Sequence, residues 1–83
     1  MKYKIMIEKP AQKFIKRLDK VDKERILRAI AKLPDGDTKA LQGHKGYYRL
    51  RVGSYRIIYT IHNGEYIICI VDAGNRGEIY KKY

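Results

Sequence analysis

The sequence predicts an α+β domain: an N-terminal strand, a two-helix hairpin, then an antiparallel three-strand meander with the helices packed on one face of the sheet. Two patterns carry this. Apolar residues recur at helical spacing between residues 11 and 33, and they alternate every second residue between 47 and 71. Turn chemistry separates the pieces: Pro34 closes the helical region, and Gly53-Ser54 and Asn63-Gly64 divide the alternating region into three. With 83 residues, residues 1–83 are read as one small domain.

Lys2 to Ile7 reads as the first strand, with Tyr3, Ile5 and Ile7 on one face. Pro10 suits the first turn of a helix, where a missing N–H has no cost. Ala11, Phe14, Ile15 and Leu18 then give one apolar stripe, and the basic residues fall mainly on its other sides. Asp22 is placed as the N-cap of the second helix, whose stripe is Ile26, Leu27, Ile30 and Leu33. These stripes are expected to pack on the sheet. Residues 34–46 read as a loop.

Three strands follow, at 47–52, 55–61 and about 65–71. A two-residue loop at Gly53-Ser54 sets Val52 against Tyr55 and Arg51 against Arg56. A two-residue loop at Asn63-Gly64 sets His62 against Glu65 and brings Arg56 near Val71. Alternation then puts Leu50, Val52, Tyr55, Ile57, Tyr59, Ile61, Tyr66, Ile68 and Ile70 on the core face. Arg49, Arg51 and Arg56 share the opposite face, floored by Ile58, Cys69 and Val71.

Lys and Arg number 19 against nine Asp and Glu, a formal net charge of +10, in a chain that is 45% hydrophobic. That is a basic globular domain, not a disordered tail, and it points to a polyanionic partner, nucleic acid first. The single Cys69 excludes an intramolecular disulfide and a multi-cysteine metal site, and it reads as a small packing residue. Asp35 and Asp37 flank a glycine without the rest of a calcium loop. Neither His44, in a loop, nor His62, at a turn, has a carboxylate or second histidine at helpful sequence spacing. No stretch reaches the roughly 20 apolar residues of a transmembrane helix, so a soluble, cytoplasmic protein without membrane association is expected.

The arginines are the strongest functional lead. Like charges directly opposite on a ladder cost stability, so three guanidiniums on one sheet face imply an anion for them. The tail supplies Arg76 and Tyr80, which the geometry could bring to the rim of that face.

Tyr48-Arg49-Leu50-Arg51-Val52-Gly53-Ser54-Tyr55-Arg56-Ile57-Ile58-Tyr59 resembles the signature of RelE-type toxins, and Gly74-Asn75-Arg76-Gly77-Glu78-Ile79-Tyr80 resembles their C-terminal motif. Element order, length and charge also match, so the resemblance spans essentially the whole chain. It implies a RelE-like fold and a toxin of a type II toxin–antitoxin system. Such toxins are metal-independent endoribonucleases that enter the ribosomal A site, cleave the mRNA there, use no cofactor, and are held inactive by a RelB-like antitoxin. The wider superfamily includes ParE-type toxins, which share the fold and inhibit DNA gyrase; that is the alternative.

By the same resemblance, Arg49 and Arg51 take two basic positions on the family's second strand, which are lysines in some members. Arg56 takes the phosphate-binding position. Arg76 takes the place of the arginine that assists the leaving group, and Tyr80 that of the tyrosine that orients the substrate nucleotide. Asn75 stands where many relatives carry histidine, which removes histidine acid–base chemistry from that position. Guanidiniums suit the stabilisation of a dianionic phosphorane. Arginine, with a pKa above about 12, is a poor general base, so charge stabilisation is expected to dominate, with water or ribosomal RNA handling protons.

Overall fold

A computed structural model of the chain describes residues 3–62, 64–75 and 79. In order, these form β1 (Lys4–Ile7), α1 (Lys9–Lys16), α2 (Lys20–Ala31), β2 (Thr38–Ala40), β3 (Tyr47–Val52), β4 (Tyr55–His62) and β5 (Ile67–Asn75). The strands make one sheet in the order β1-β5-β4-β3-β2. β1 runs parallel to β5, and the other pairs are antiparallel. The expected architecture holds, with one strand more than the sequence suggests: β2 lies inside the segment read as loop. It is only three residues long and has no alternating apolar pattern, so nothing but its pairing with β3 marks it as a strand.

Pro10 lies in the first turn of α1, and Ala11 and Ile15 are its buried residues. The cap of α2 corrects the sequence reading. Asp19, not Asp22, is the N-cap, and its carboxylate accepts from the Asp22 N–H at 2.9 Å, the N-cap to N3 spacing. Asp22 is thereby free to accept from the Tyr55 hydroxyl at 2.7 Å, tying α2 to the β3–β4 hairpin. Ile26, Ile30 and Leu33 are buried, but Leu27, expected in the same stripe, is 42% exposed. It sits one residue, about 100° of helix rotation, past the fully buried Ile26.

The hydrogen bond that Tyr55 donates to Asp22 is the main reason its phenol is raised above its ordinary value, with burial and the Asp22 charge adding to it. The folded state thus holds this proton more tightly than the unfolded state. The bond contributes in full below about pH 10 and is lost as pH rises through the raised value. The stability advantage of the wild type over Tyr55→Phe is therefore expected to be constant from pH 7 to 9. It should shrink above pH 10, as read from urea midpoints of both proteins.

The core lies between the helices and one sheet face. Leu50, Val52, Ile57, Tyr59, Ile68, Ile70 and Ala73 pack with Ala11, Ile15, Ile26, Ile30 and Leu33, flanked by Tyr3, Ile5, Ile7, Tyr48, Tyr55 and Ile61. Tyr48 and Tyr59, partners across the β3–β4 ladder, stack at 5.5 Å. Tyr66, expected on this face, is instead 45% exposed. It takes a left-handed φ of +54° in the β4–β5 connection, where its carbonyl accepts from the Lys4 N–H at 2.8 Å.

The β4–β5 register is the largest correction. His62 pairs with Ile67, not Glu65, so the connection is four residues long. A bulge between Ile58 and Tyr59 then absorbs Val71, and Arg56 faces Gly74 instead of Val71. The bulge turns Asp72 onto the face that holds the arginines, and the two shifts together set it directly across the ladder from Ile58.

Candidate functional site

The sheet face turned away from the core carries the arginines. β3 and β4 are joined through Gly53-Ser54 as the sequence predicts, with Gly53 taking a φ of +59° that favours glycine. Val52 pairs with Tyr55 and Arg51 with Arg56, and one step on Arg49 pairs with Ile58 and, on its other side, with Lys39 of β2. Alternation therefore puts Lys39, Arg49, Arg51, Arg56, Ile58 and Asp72 on one face. Ile58 is fully buried, although it points away from the helices.

The three arginines are not equivalent. Arg56 is buried, and its guanidinium turns back to the hairpin: Nη1 donates to the carbonyls of Gly53 and Tyr55, both at 2.9 Å. Among the described residues no carboxylate forms an ion pair with it. Arg49 is mostly covered, its side chain 17% exposed, and its buried Nη1 has no hydrogen-bond acceptor among the described residues. Arg51 is 55% exposed, and its Nε donates to Asp37 Oδ2 at 2.5 Å.

Asp37 is the residue the sequence reading missed. It lies 12 and 14 positions from the two arginines, just before β2. Its backbone carbonyl accepts from the Arg51 N–H at 2.9 Å, which fixes its place beside them. Its Oδ1 lies 3.9 Å from Arg49 Nη1, beyond hydrogen-bond reach. The signal in the sequence was an acidic pair around Gly36 in a strongly basic chain, which fits no calcium loop. Asp72 was also missed. It is buried, and its Oδ1 accepts from the Ala73 N–H at 2.8 Å.

Arg76 and Tyr80, the other two predicted site residues, lie outside the described residues. Between them, Ile79 is buried and comes close to Gly74: a Cβ on Gly74 would sit 3.4 Å from Ile79 Cβ. Cys69 is half-buried, and its thiol donates to Glu8 Oε2 at 3.3 Å. Burial first, then this bond, pushes the thiol up from its ordinary value, the opposite of what a nucleophilic cysteine needs. The His62 ring lies 3.4 Å from the Thr60 hydroxyl, and the His44 ring packs edge-on to Tyr47 at 6.2 Å. Among the described residues, no group of three or more His, Cys, Asp or Glu is arranged to hold a metal ion. No described helix is long and apolar enough to cross a membrane.

A strip of guanidiniums beside one ammonium, with a single exposed carboxylate among them, can bind an oxyanion and stabilise charge developing on it. Its guanidiniums are unsuited to proton transfer near neutral pH.

Comparison with known proteins agrees with this architecture. No curated relative matches the sequence. The fold is similar to that in the archaeal RelE–RelB complex from Pyrococcus horikoshii OT3, with a TM-score of 0.76 and 29% identity over 94% of this chain and 99% of that chain. It is similar also to the RelB–RelE antitoxin–toxin complex from Methanococcus jannaschii, with a TM-score of 0.73 and 26% identity over 94% and 98%. A mutant of the E. coli toxin RelE in the free state has a TM-score of 0.75 at 19% identity, over 98% and 93%, a likeness of fold alone. The family model of the ParE toxin of the type II toxin–antitoxin system, parDE, matches residues 5–80. The chain therefore belongs to the ParE toxin family, within the RelE/ParE superfamily of type II toxin–antitoxin toxins.

Proposed function

We propose that this toxin is a ribosome-dependent mRNA endonuclease of the RelE kind. The observation that carries the proposal is the orphaned Arg49 Nη1. Among the described residues it is a buried guanidinium donor without a hydrogen-bond acceptor, its nearest carboxylate oxygen, Asp37 Oδ1, lying 3.9 Å away, on a face where Arg51 and Arg56 stand opposite each other. Leaving such a donor unmade costs on the order of 1–3 kcal/mol, and a phosphate oxygen would satisfy it.

In the reaction, the 2′-oxygen of one nucleotide attacks the adjoining phosphorus and the bond to the 5′-oxygen breaks. The products are a 2′,3′-cyclic phosphate and a 5′-hydroxyl. Arg49 and Arg51 hold the non-bridging oxygens as the phosphorane gains charge, and Arg56 adds its positive field. The 2′-hydroxyl proton leaves to water or ribosomal RNA, and the 5′-oxygen takes one up. By the resemblance, Arg76 assists that departing oxygen and Tyr80 orients the nucleotide. No metal or cofactor takes part. The site of action is the cytoplasm, and the partner that silences the toxin is a RelB-like antitoxin.

Induction of the chain in cells, followed by primer extension on a translated and an untranslated copy of one message, tests this. Codon-spaced cuts confined to the translated copy are expected. The second reading is inhibition of DNA gyrase, supported by the match to the ParE family model and by the use of the Arg56 guanidinium on its own hairpin. Induction of the SOS response with the message intact would establish it in place of the first.

A further inference from the structure

We infer that Asp37 is an internal stand-in for the substrate phosphate: its carboxylate occupies the anion position of the Arg49–Arg51 pair and is displaced when RNA binds. The inference rests on the proposal that this face receives a phosphate.

The geometry is that of a placeholder rather than of a structural pair. Arg49 and Arg51 are two apart on β3, so their side chains leave the same face, and one carboxylate reaches towards both. Asp37 satisfies only one of them fully. Oδ2 is bonded to Arg51 Nε at 2.5 Å, while Oδ1 lies 3.9 Å from Arg49 Nη1, which has no hydrogen-bond acceptor among the described residues. A phosphate has three or more oxygens on a larger centre, so it can bond both guanidiniums where the carboxylate bonds one. The incoming anion thus gains an interaction that the departing one never had.

Asp37 is also built to move without disturbing the fold. Its side chain is 47% exposed. Its position is held by backbone bonds that do not involve the carboxylate: Arg51 N–H to the Asp37 carbonyl, and Thr38 N–H to the Gly36 carbonyl, both at 2.9 Å. Rotation about the Asp37 side-chain bonds is enough to release the arginines. Until then, the carboxylate neutralises part of the face. It lowers affinity for stray polyanions, so a basic toxin with a net charge of +10 favours sites that supply further contacts. Asp37 is in this sense a positioning and selectivity residue that acts through Arg49 and Arg51.

The test uses a short 2′-O-methyl oligoribonucleotide, which presents phosphates and lacks the attacking hydroxyl. Asp37→Asn keeps shape and removes charge. It is expected to bind the oligonucleotide on the order of fivefold more tightly than wild type, with a salt slope steeper by about 0.7, one further single-strand phosphate neutralised. Asp37→Glu keeps the charge and should bind as wild type does. The Asn effect should vanish when Arg51 is also replaced by Ala. In the wild type, the Arg51 Nε–H resonance should shift on titration with the oligonucleotide as Asp37 is displaced.

Equal or weaker binding by Asp37→Asn, or no detectable binding by either protein, overturns the inference. Cleavage of translated mRNA is scored separately. Tighter binding by Asp37→Asn without codon-spaced cuts leaves the stand-in in place and removes the nuclease proposal. Cuts without tighter binding do the reverse.

Discussion

Arg56→Ala is expected to lower stability by about 3 kcal/mol, equivalent to a fall of roughly 15 °C in Tm for a domain of this size. Arg56 is 6% exposed, and its guanidinium is the donor for two carbonyls of its own hairpin, those of Gly53 and Tyr55. Truncation removes both bonds, leaves the carbonyls short of a partner and empties the space of the side-chain stem. A typical domain has only about 5–15 kcal/mol in total, so this loss is large. Arg56→Lys keeps charge and stem but replaces the planar fork by one ammonium, and a loss of about 1 kcal/mol is expected. Thermal melts of the two variants check the pair of values. The comparison also decides how toxicity data are read. Charge removal at Arg56 does not leave the fold intact, as a purely surface phosphate ligand would. Loss of activity in Arg56→Ala thus reports catalysis only where the variant is still folded at the assay temperature. A melt indistinguishable from wild type would contradict the burial and bonding of the guanidinium.

The way Arg56 came to be placed shows what the sequence holds and what it does not. The β3–β4 hairpin is legible because a two-residue loop permits one register, and Gly53 at its first position supplies the positive φ. Arg51 opposite Arg56 follows from that alone. The β4–β5 connection is not legible to the same degree. Reading Asn63-Gly64 as the whole loop gives His62 opposite Glu65, whereas a four-residue loop gives His62 opposite Ile67. The two registers differ by two residues, and a slip of two leaves each side chain on the face it already had. Apolar alternation through Ile68 and Ile70 is therefore equally satisfied by both. The bulge at Val71 then adds one residue and reverses the faces, so Ala73 enters the core while Asp72 turns to the arginines. A one-residue insertion has no compositional mark here, because Val71 fits either face. Asp37 was hidden for a different reason. Its relation to Arg49 and Arg51 depends on β2, a three-residue edge strand held by pairing rather than by propensity.

The double variant Arg49→Ala, Arg51→Ala is expected to cleave translated mRNA at least 100-fold more slowly than wild type with a small change in Tm. Removing one preorganised donor to a developing oxyanion commonly costs 100-fold or more, and here both donors on β3 are lost. Stability should change little. The exposed Arg51–Asp37 pair contributes about 0–1 kcal/mol, and the like-charge opposition of Arg51 and Arg56 is relieved at the same time. The single variants should not add up to the double, because both arginines share Asp37.

The pH dependence then separates charge stabilisation from proton transfer. No arginine titrates between pH 6 and 9. If the 2′-hydroxyl loses its proton to hydroxide in a pre-equilibrium before attack, the logarithm of the wild-type rate should rise with unit slope across that range without a plateau. Arg49→Lys places an amine among guanidiniums, whose like charges favour its neutral form and draw its pKa down towards the working range. That variant should show a plateau which wild type lacks, in single-turnover rates on stalled ribosomes. A plateau in wild type itself would assign a general base to this chain. Guanidinium is a poor base, so such a base would be sought in the Asp37 and Asp72 carboxylates and the Lys39 amine on this face, or outside the described residues.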